Sequence, residues 1–229
     1  MFAVCTCWLP LLFFALAGDP SKPIPGQRPL LIIEGAFRFV SGSWAAYDIH
    51  DKAKKESYRM TVSILERAER KGKPMSWMEI DVAIPDSAGA VTRLLAVETP
   101  EGPGEIQEVI VQPRGYPPFR VPRKYFDGKG RDEEVGGVMP ARVVKRMDFR
   151  RVQRGGREIQ VIEVEAEDAR GRPLKAQVSE EVAPIGVCRA ENDGIRMELA
   201  DWGTGAKTRI DGAPRSFYLW IFEQIGRGL

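Results

Sequence analysis

The feature that most restricts this chain is a two-residue alternation of apolar and polar side chains, kept up over unusually long stretches. In ESYRMTVSIL, Tyr58, Met60, Val62 and Ile64 alternate with Arg59, Thr61 and Ser63, and PMSWMEIDVAI repeats the pattern with Met78, Ile80, Val82 and Ile84. Successive side chains of a strand point to opposite faces, so each stretch reads as a strand with one buried face. The RKGK sequence at 70–73 lies between them and predicts a long antiparallel hairpin. Further strands are expected at 90–98, 105–112, 173–179, 185–191, 194–200 and 205–210, with Asn192-Asp193-Gly194 as the turn between two of them.

Gly155-Gly156 defines a second hairpin. With the two glycines as its turn, Arg154 faces Arg157, and the pairing runs back through Val152 with Ile159, Phe149 with Ile162 and Met147 with Val164. The same register sets Arg146 opposite Glu165. It also sets Asp148 opposite Glu163, a repulsive pair that flanking arginines must relieve.

Both ends of the chain depart from this β pattern. From Trp8 to Gly18 the sequence is almost wholly apolar, but this is about half of the roughly 20 residues that a membrane-crossing helix needs. It ends in Ala15-Leu16-Ala17, the small-x-small pattern of a secretory signal peptide, although no Lys or Arg precedes the run. The expectation is a signal peptide over 1–17, cleaved near Ala17, and a periplasmic or secreted protein without a transmembrane helix. Asp19 stands where lipidation would require a cysteine, so the mature chain is not expected to be lipidated. Cys5 and Cys7 fall in the removed segment, leaving Cys188 and His50 as the single thiol and single imidazole. One thiol cannot form an intramolecular disulfide, so stability must come from the core.

Pro20, Pro23, Pro25 and Pro29 make 18–29 an extended linker, and 30–229 reads as a single domain. LLIIEGAFRFV at 30–40 fits a short helix or a first strand; the helix is preferred because Leu30, Ile33, Phe37 and Val40 could share a face. RSFYLWIFEQIG at 215–226 predicts a closing helix against the sheet, apolar around much of its circumference. Its apolar run from Phe217 to Phe222 is too short to cross a bilayer.

The net charge of +2 gives no global reason to expect nucleic acid. DWGTGAKTRI mimics a phosphate loop, but Lys207 follows Ala206 where that motif needs glycine, so a turn into the last strand is the better account. Cys188 sits in the strand-like IGVCRAE, where packing is the ordinary role of a thiol. Glu163, Glu165 and Glu167 share a strand face and could hold a cation, yet Arg146 and Arg150 across the hairpin favour a mutually neutralised charged surface. Arg146, Arg150, Arg151 and Arg154 belong to a basic stretch that could meet an acidic protein partner or lipid phosphates. No arrangement of nucleophile, base or metal ligands stands out, so neither enzymatic activity, a catalytic residue, a metal nor a cofactor is expected.

Taken together, the signal-like start, GSWAAYDI, ESYRMTVSIL, PMSWMEIDVAI and the late hairpin in VSEEVAPIGVCRAENDGIRMELADWG resemble the LolA-like superfamily of periplasmic lipoprotein carriers and sorting proteins. The likeness covers most of 42–210 as a pattern, and the chain departs from it in the proline-rich 113–122 loop and the aromatic C-terminal helix. The resemblance implies a mainly β (α+β) fold: a curved antiparallel sheet or incomplete barrel around an apolar cavity, with short helices near the N-terminus and at the C-terminus. It further implies binding or shuttling of a lipid or of lipoprotein acyl chains. Tyr58, Met60, Val62, Met78, Ile80, Met147, Phe149 and Trp220 are the expected pocket lining, with the methionines as an adaptable surface. The alternative is a non-enzymatic envelope interaction module whose core is filled and whose basic hairpin meets a partner.

Overall fold

The computed structural model describes residues 30–85, 89–126, 138–168 and 171–226. The signal-like segment, the linker, Cys5, Cys7 and the cleavage expectation lie outside these residues. Within them the chain forms one curved, open sheet of 13 strands. In chain order these are β1 (Leu30–Ile33), β2 (Trp44–Asp51), β3 (Glu56–Arg70), β4 (Lys73–Ala83), β5 (Ala90–Thr99), β6 (Gly102–Pro113) and β7 (Phe119–Arg120). They continue as β8 (Val138–Arg154), β9 (Arg157–Asp168), β10 (Pro173–Val178), β11 (Val187–Glu191), β12 (Ile195–Gly203) and β13 (Arg215–Ser216), followed by helix α1 (Phe217–Gly226).

The strand order is β1-β8-β9-β10-β11-β12-β2-β3-β4-β5-β6-β7-β13. Two antiparallel meanders, β2 to β7 and β8 to β12, are therefore joined where β12 pairs with β2. Only the outermost pairs, β1 with β8 and β7 with β13, are parallel.

The alternating stretches form the hairpin expected of them. β3 and β4 pair from Arg70 opposite Lys73 back to Arg59 opposite Ala83. The turn residues Lys71 and Gly72 have φ of 54° and 71°, the positive values that a two-residue turn between twisted strands demands. Asn192 makes the other expected turn: its Oδ1 accepts from the backbone N–H of both Gly194 and Ile195 at 2.8 Å.

Two local expectations are corrected. Leu30–Ile33 is a strand, not a helix: all four side chains are buried, which suits a strand covered on both faces, and a turn from Ile33 to Ala36 through Gly35 (φ 74°) ends it. Residues 205–210 are not a strand either. From β12 to β13 the chain runs as an irregular strap over the outer face of the sheet. It is tied to β4 by Glu79, which accepts from the Thr208 hydroxyl (2.7 Å) and the Arg209 amide (2.8 Å), and by an ion pair between Arg209 and Asp81. Further along, the Gln112 side chain on β6 accepts from the Asp211 amide.

The sheet curls without closing. A Cβ placed on Gly102, at the β5–β6 turn, would lie 3.4 Å from the Ile32 side chain, so the first strand sits beside the opposite half of the sheet. At Gly186 (φ 68°) the chain passes so close to Ala36 that a Cβ would stand 2.4 Å from its carbonyl oxygen; glycine is required there on both counts.

The Gly155-Gly156 hairpin keeps the expected register only near its turn. Arg154 faces Arg157, Val152 faces Ile159 and Phe149 faces Ile162, but Arg146 then faces Val164 and Lys145 faces Glu165. Met147 and Asp148 thus stand opposite the single Glu163, a bulge on β8, and the register shifts again around Val144. The expected pairs of Met147 with Val164 and Arg146 with Glu165 do not form. The bulge falls where the repulsive Asp148–Glu163 pair was due, and Arg150 bonds Glu163 instead at 3.1 Å. Here the buried face of β9 also changes parity, from Ile159 and Val161 to Val164, Ala166 and Asp168.

Candidate binding surfaces

The concave face is built by an unbroken ladder of cross-strand partners. Tyr47 faces Met60 and Met60 faces Val82; Val62 faces Ile80 and Ile64 faces Met78. Five of the expected lining residues, Tyr58, Met60, Val62, Met78 and Ile80, come together here. Met60, Val62 and Met78 are 0% exposed, leaving no water-sized space beside them. They form a packed core, and burial of each such side chain is worth about 1.5–3 kcal/mol.

One polar atom interrupts this core. The Tyr47 hydroxyl is buried without a hydrogen-bond partner, and burial, reinforced by nearby Cys188, pushes its pKa well up. Cys188 is itself fully buried. Burial pushes its thiol up to about 12, against the pull of the Arg154 charge, with Glu181 adding a smaller push upward. It is a packed, neutral thiol rather than an activated one.

The other three expected lining residues lie elsewhere. Met147 is half-buried at the β8 bulge. Phe149 is 64% exposed, which corrects its assignment to the interior. Past Val161 the hairpin buries its other face, and a two-residue period carried through Met147 does not register that change. Trp220 is buried, but its ring packs on Phe119 (centroids 4.6 Å apart) and Tyr116 (6.2 Å), and its indole N–H donates to the Pro117 carbonyl at 3.0 Å.

Trp220 belongs to an aromatic cluster at the β7 end of the sheet. Phe217 packs there against Phe119 and Tyr125. Helix α1 therefore docks by one face only, and its Tyr218, Leu219 and Phe222 are 54%, 52% and 71% exposed. Lys124 lies over the rings of Tyr125 (4.9 Å) and Tyr218 (5.9 Å), and a hydrogen bond to the Tyr218 hydroxyl, followed by the charge of Tyr125, raises its pKa.

The four arginines of the expected partner surface differ in environment. Arg150 and Arg151 remain largely solvated while reaching Glu163 (3.1 Å) and Glu158 (3.8 Å). Arg146 is exposed on β8. Arg154 is half-buried and donates to the Gln177 side chain at 3.3 Å. At the hairpin tip Arg157 lies 3.5 Å over the Trp202 ring and donates to Asp201 and to the Trp202 carbonyl, fastening the tip to β12. Glu163 and Glu167 pair with Arg150 and Arg142, in keeping with a neutralised charged surface. Among the described residues no group of three or more metal-ligating side chains converges.

An open groove of about 730 Å³ lies where β2, β3 and β4 end. Its charges are paired, Arg59 with Asp48 and Arg196 with Glu198, each at 2.8 Å. His50 and Ser57, neighbours across β2 and β3, share a 3.0 Å hydrogen bond through Nδ1. Both side chains are exposed, and among the described residues no carboxylate orients the ring, so the pair lacks the third member of a nucleophile–base–acid arrangement.

Sequence reasoning missed the strap and its two acidic anchors. The signal was present: Glu79 and Asp81 are acids on the outward face of a long β4, and they end up 2% and 7% exposed. Buried carboxylates need partners, and such partners had to come from another segment.

No protein-family model matches this chain, and neither does any curated protein. Among solved structures it is similar to MucB in complex with MucA(peri), at 11% identity and a TM-score of 0.35, covering 76% of this chain and 54% of that one. MucB alone gives 11% identity and 0.37, covering 78% and 60%. A protein of Bacteroides fragilis described as exported and YmcC-like in fold gives 9% identity and 0.37, covering 75% of this chain and all of that one. The chain thus spans little more than half the length of MucB. Likenesses this distant assign neither a family nor a function.

Proposed function

We propose that this protein is an exported, non-enzymatic binding module of the cell envelope that works through its surface rather than through a ligand cavity. One observation carries the reading. The concave face is filled by residues such as Met60 and Met78, whereas large apolar side chains are exposed at the periphery, on β8 and on α1. Exposed apolar groups rimmed by charge mark interaction sites. Export rests on the signal-like start of the sequence.

The carrier reading retains one supporting feature, the unpartnered Tyr47 hydroxyl among the methionines. If the sheet opened to admit a lipid, that hydroxyl would gain a hydrogen-bond partner. Native mass spectrometry with lipid extraction, on protein purified from its own envelope fraction, separates the two readings. An envelope protein bound without lipid supports the surface module. A stoichiometric lipid overturns it in favour of the carrier.

A further inference from the structure

We propose that the outer edge of β8, from Phe149 to Gln153, receives an extended acidic segment of another protein as an added strand. The inference rests on the surface-binding reading above and gives it a site and a partner class. β1 covers β8 only at Val138–Ala141, and beyond Glu34, whose carboxylate accepts from the Val143 amide, no strand among the described residues borders that side. In a hairpin with a two-residue turn the flanking pair exchanges hydrogen bonds, so Arg154, Val152 and Arg150 bond to β9. The backbone groups of Phe149, Arg151 and Gln153 then face outward. One of them is partly satisfied: the Gln153 carbonyl accepts from the Arg154 guanidinium at 3.1 Å.

The side chains say what fits this edge. Phe149 is 64% exposed, an apolar contact that an incoming strand would cover. The Arg150 and Arg151 side chains are 65% and 76% exposed, and their bonds to Glu163 and Glu158 leave guanidinium donors free to be shared. Charges on an edge strand ordinarily block pairing with a second copy, because like charges would face one another. The Arg150 charge admits a strand whose alternate carboxylates fall on its face, leaving the strand's apolar residues on the opposite face beside Phe149. The bulge at Met147 and Asp148 sets the near limit of the site, so the occupant is short, about five residues, an ordinary strand length.

The test uses the full mature chain and a synthetic blocked peptide of alternating Val and Glu, with a Val/Lys peptide as control. Amide exchange by NMR should show protection at Phe149, Arg151 and Gln153 on adding the Val/Glu peptide, with affinity falling as salt rises. Arg151→Pro removes an outward N–H without touching the ladder to β9, and should weaken binding roughly tenfold while thermal unfolding stays intact. The reversal Arg150→Glu keeps every N–H and should weaken it comparably. Equal binding of the Val/Lys peptide, no binding of the Val/Glu peptide, or binding unchanged by Arg151→Pro overturns the edge site. So does self-association of the wild type that Arg151→Pro abolishes, which would make the occupant a second copy. In each of these cases the surface reading survives if an envelope protein is still found bound to the native protein, and falls if a stoichiometric lipid is found.

Discussion

Over Tyr47–Ile49 of β2, Tyr58–Ile64 of β3 and Met78–Val82 of β4, short of the bulge beyond Ile64, the apolar buried face keeps one parity, so that Tyr47, Met60 and Val82 follow one another as direct partners. In β9 the buried face changes parity between Val161 and Val164, and the facing strand carries a bulge. Where alternation runs unbroken, every apolar side chain finds a partner and the interior fills. Where it breaks, apolar side chains are thrown outward: Val144 is 57% and Phe149 64% exposed. The same local rule thus produces a packed face in one half of the molecule and an available edge in the other.

The sharpest way to break this comparison is to cut into the packed face. Met78 is fully buried opposite Ile64 and Leu94, so Met78→Ala should cost about 2–5 kcal/mol in urea unfolding, through lost burial and the cavity left behind. Met78→Trp should also destabilise, by about 1–3 kcal/mol, because a filled interior cannot take the added volume. A Met78→Trp protein as stable as the wild type would mean that the concave face holds space, and would return the carrier reading to first place.

The strap offers a second, smaller effect. Glu79 holds Thr208 and the Arg209 amide from a buried position. Glu79→Ala leaves those donors without an acceptor and should cost about 1–3 kcal/mol. Hydrogen exchange should locate the loss at the Arg209 amide. Loss spread evenly over β3 and β4 instead would show that Glu79 supports the sheet rather than the strap.

The same contrast explains what could be read from the sequence. The β3–β4 hairpin, the Asn192 turn and the C-terminal helix were legible because each follows from periodicity or turn chemistry within a short window, whereas the curvature of the sheet was implied only by the family resemblance. Leu30–Ile33 was not, since an apolar run buried on both faces carries no period to separate strand from helix. Nor was the exposure of Phe149, which depends on which side of the hairpin meets the rest of the molecule, a long-range fact. The partners of Glu79 came from 129 and 130 residues away. The charge pairing on the basic hairpin was legible in kind, acid against base across two strands, but bulges shifted its register.

At the joint where β12 returns to β2, Glu191 lies between Lys52 (2.9 Å) and Arg189 (2.9 Å). Hydrogen bonds from Lys52 and then Arg189 lower its pKa to about 2. A carboxylate depressed in the folded state contributes fully above its ordinary pKa of about 4.3, and that contribution fades as pH falls from about 5 to about 2. Because these side chains are about a third exposed, the pair is screened, and Glu191→Gln should cost only about 0.2–1 kcal/mol at neutral pH. The deficit should shrink as the pH approaches 2 when both proteins are unfolded in parallel. A deficit independent of pH would assign it to lost packing at the joint rather than to charge.

The smallest effect belongs to the edge. Phe149→Ser should change unfolding free energy by no more than about 0.5 kcal/mol, since an exposed side chain has little burial to lose. Removing an equally large side chain from the concave face should cost several times more. The prediction is demanding because it asks an aromatic residue in the middle of a strand to be nearly silent. If Phe149→Ser destabilises by as much as a core substitution, the side chain is covered in solution and the edge is already occupied. If it is silent, what keeps an exposed phenylalanine beside Arg150 and Arg151 on the open edge of β8 is not stability, and the site must be explained by what docks there.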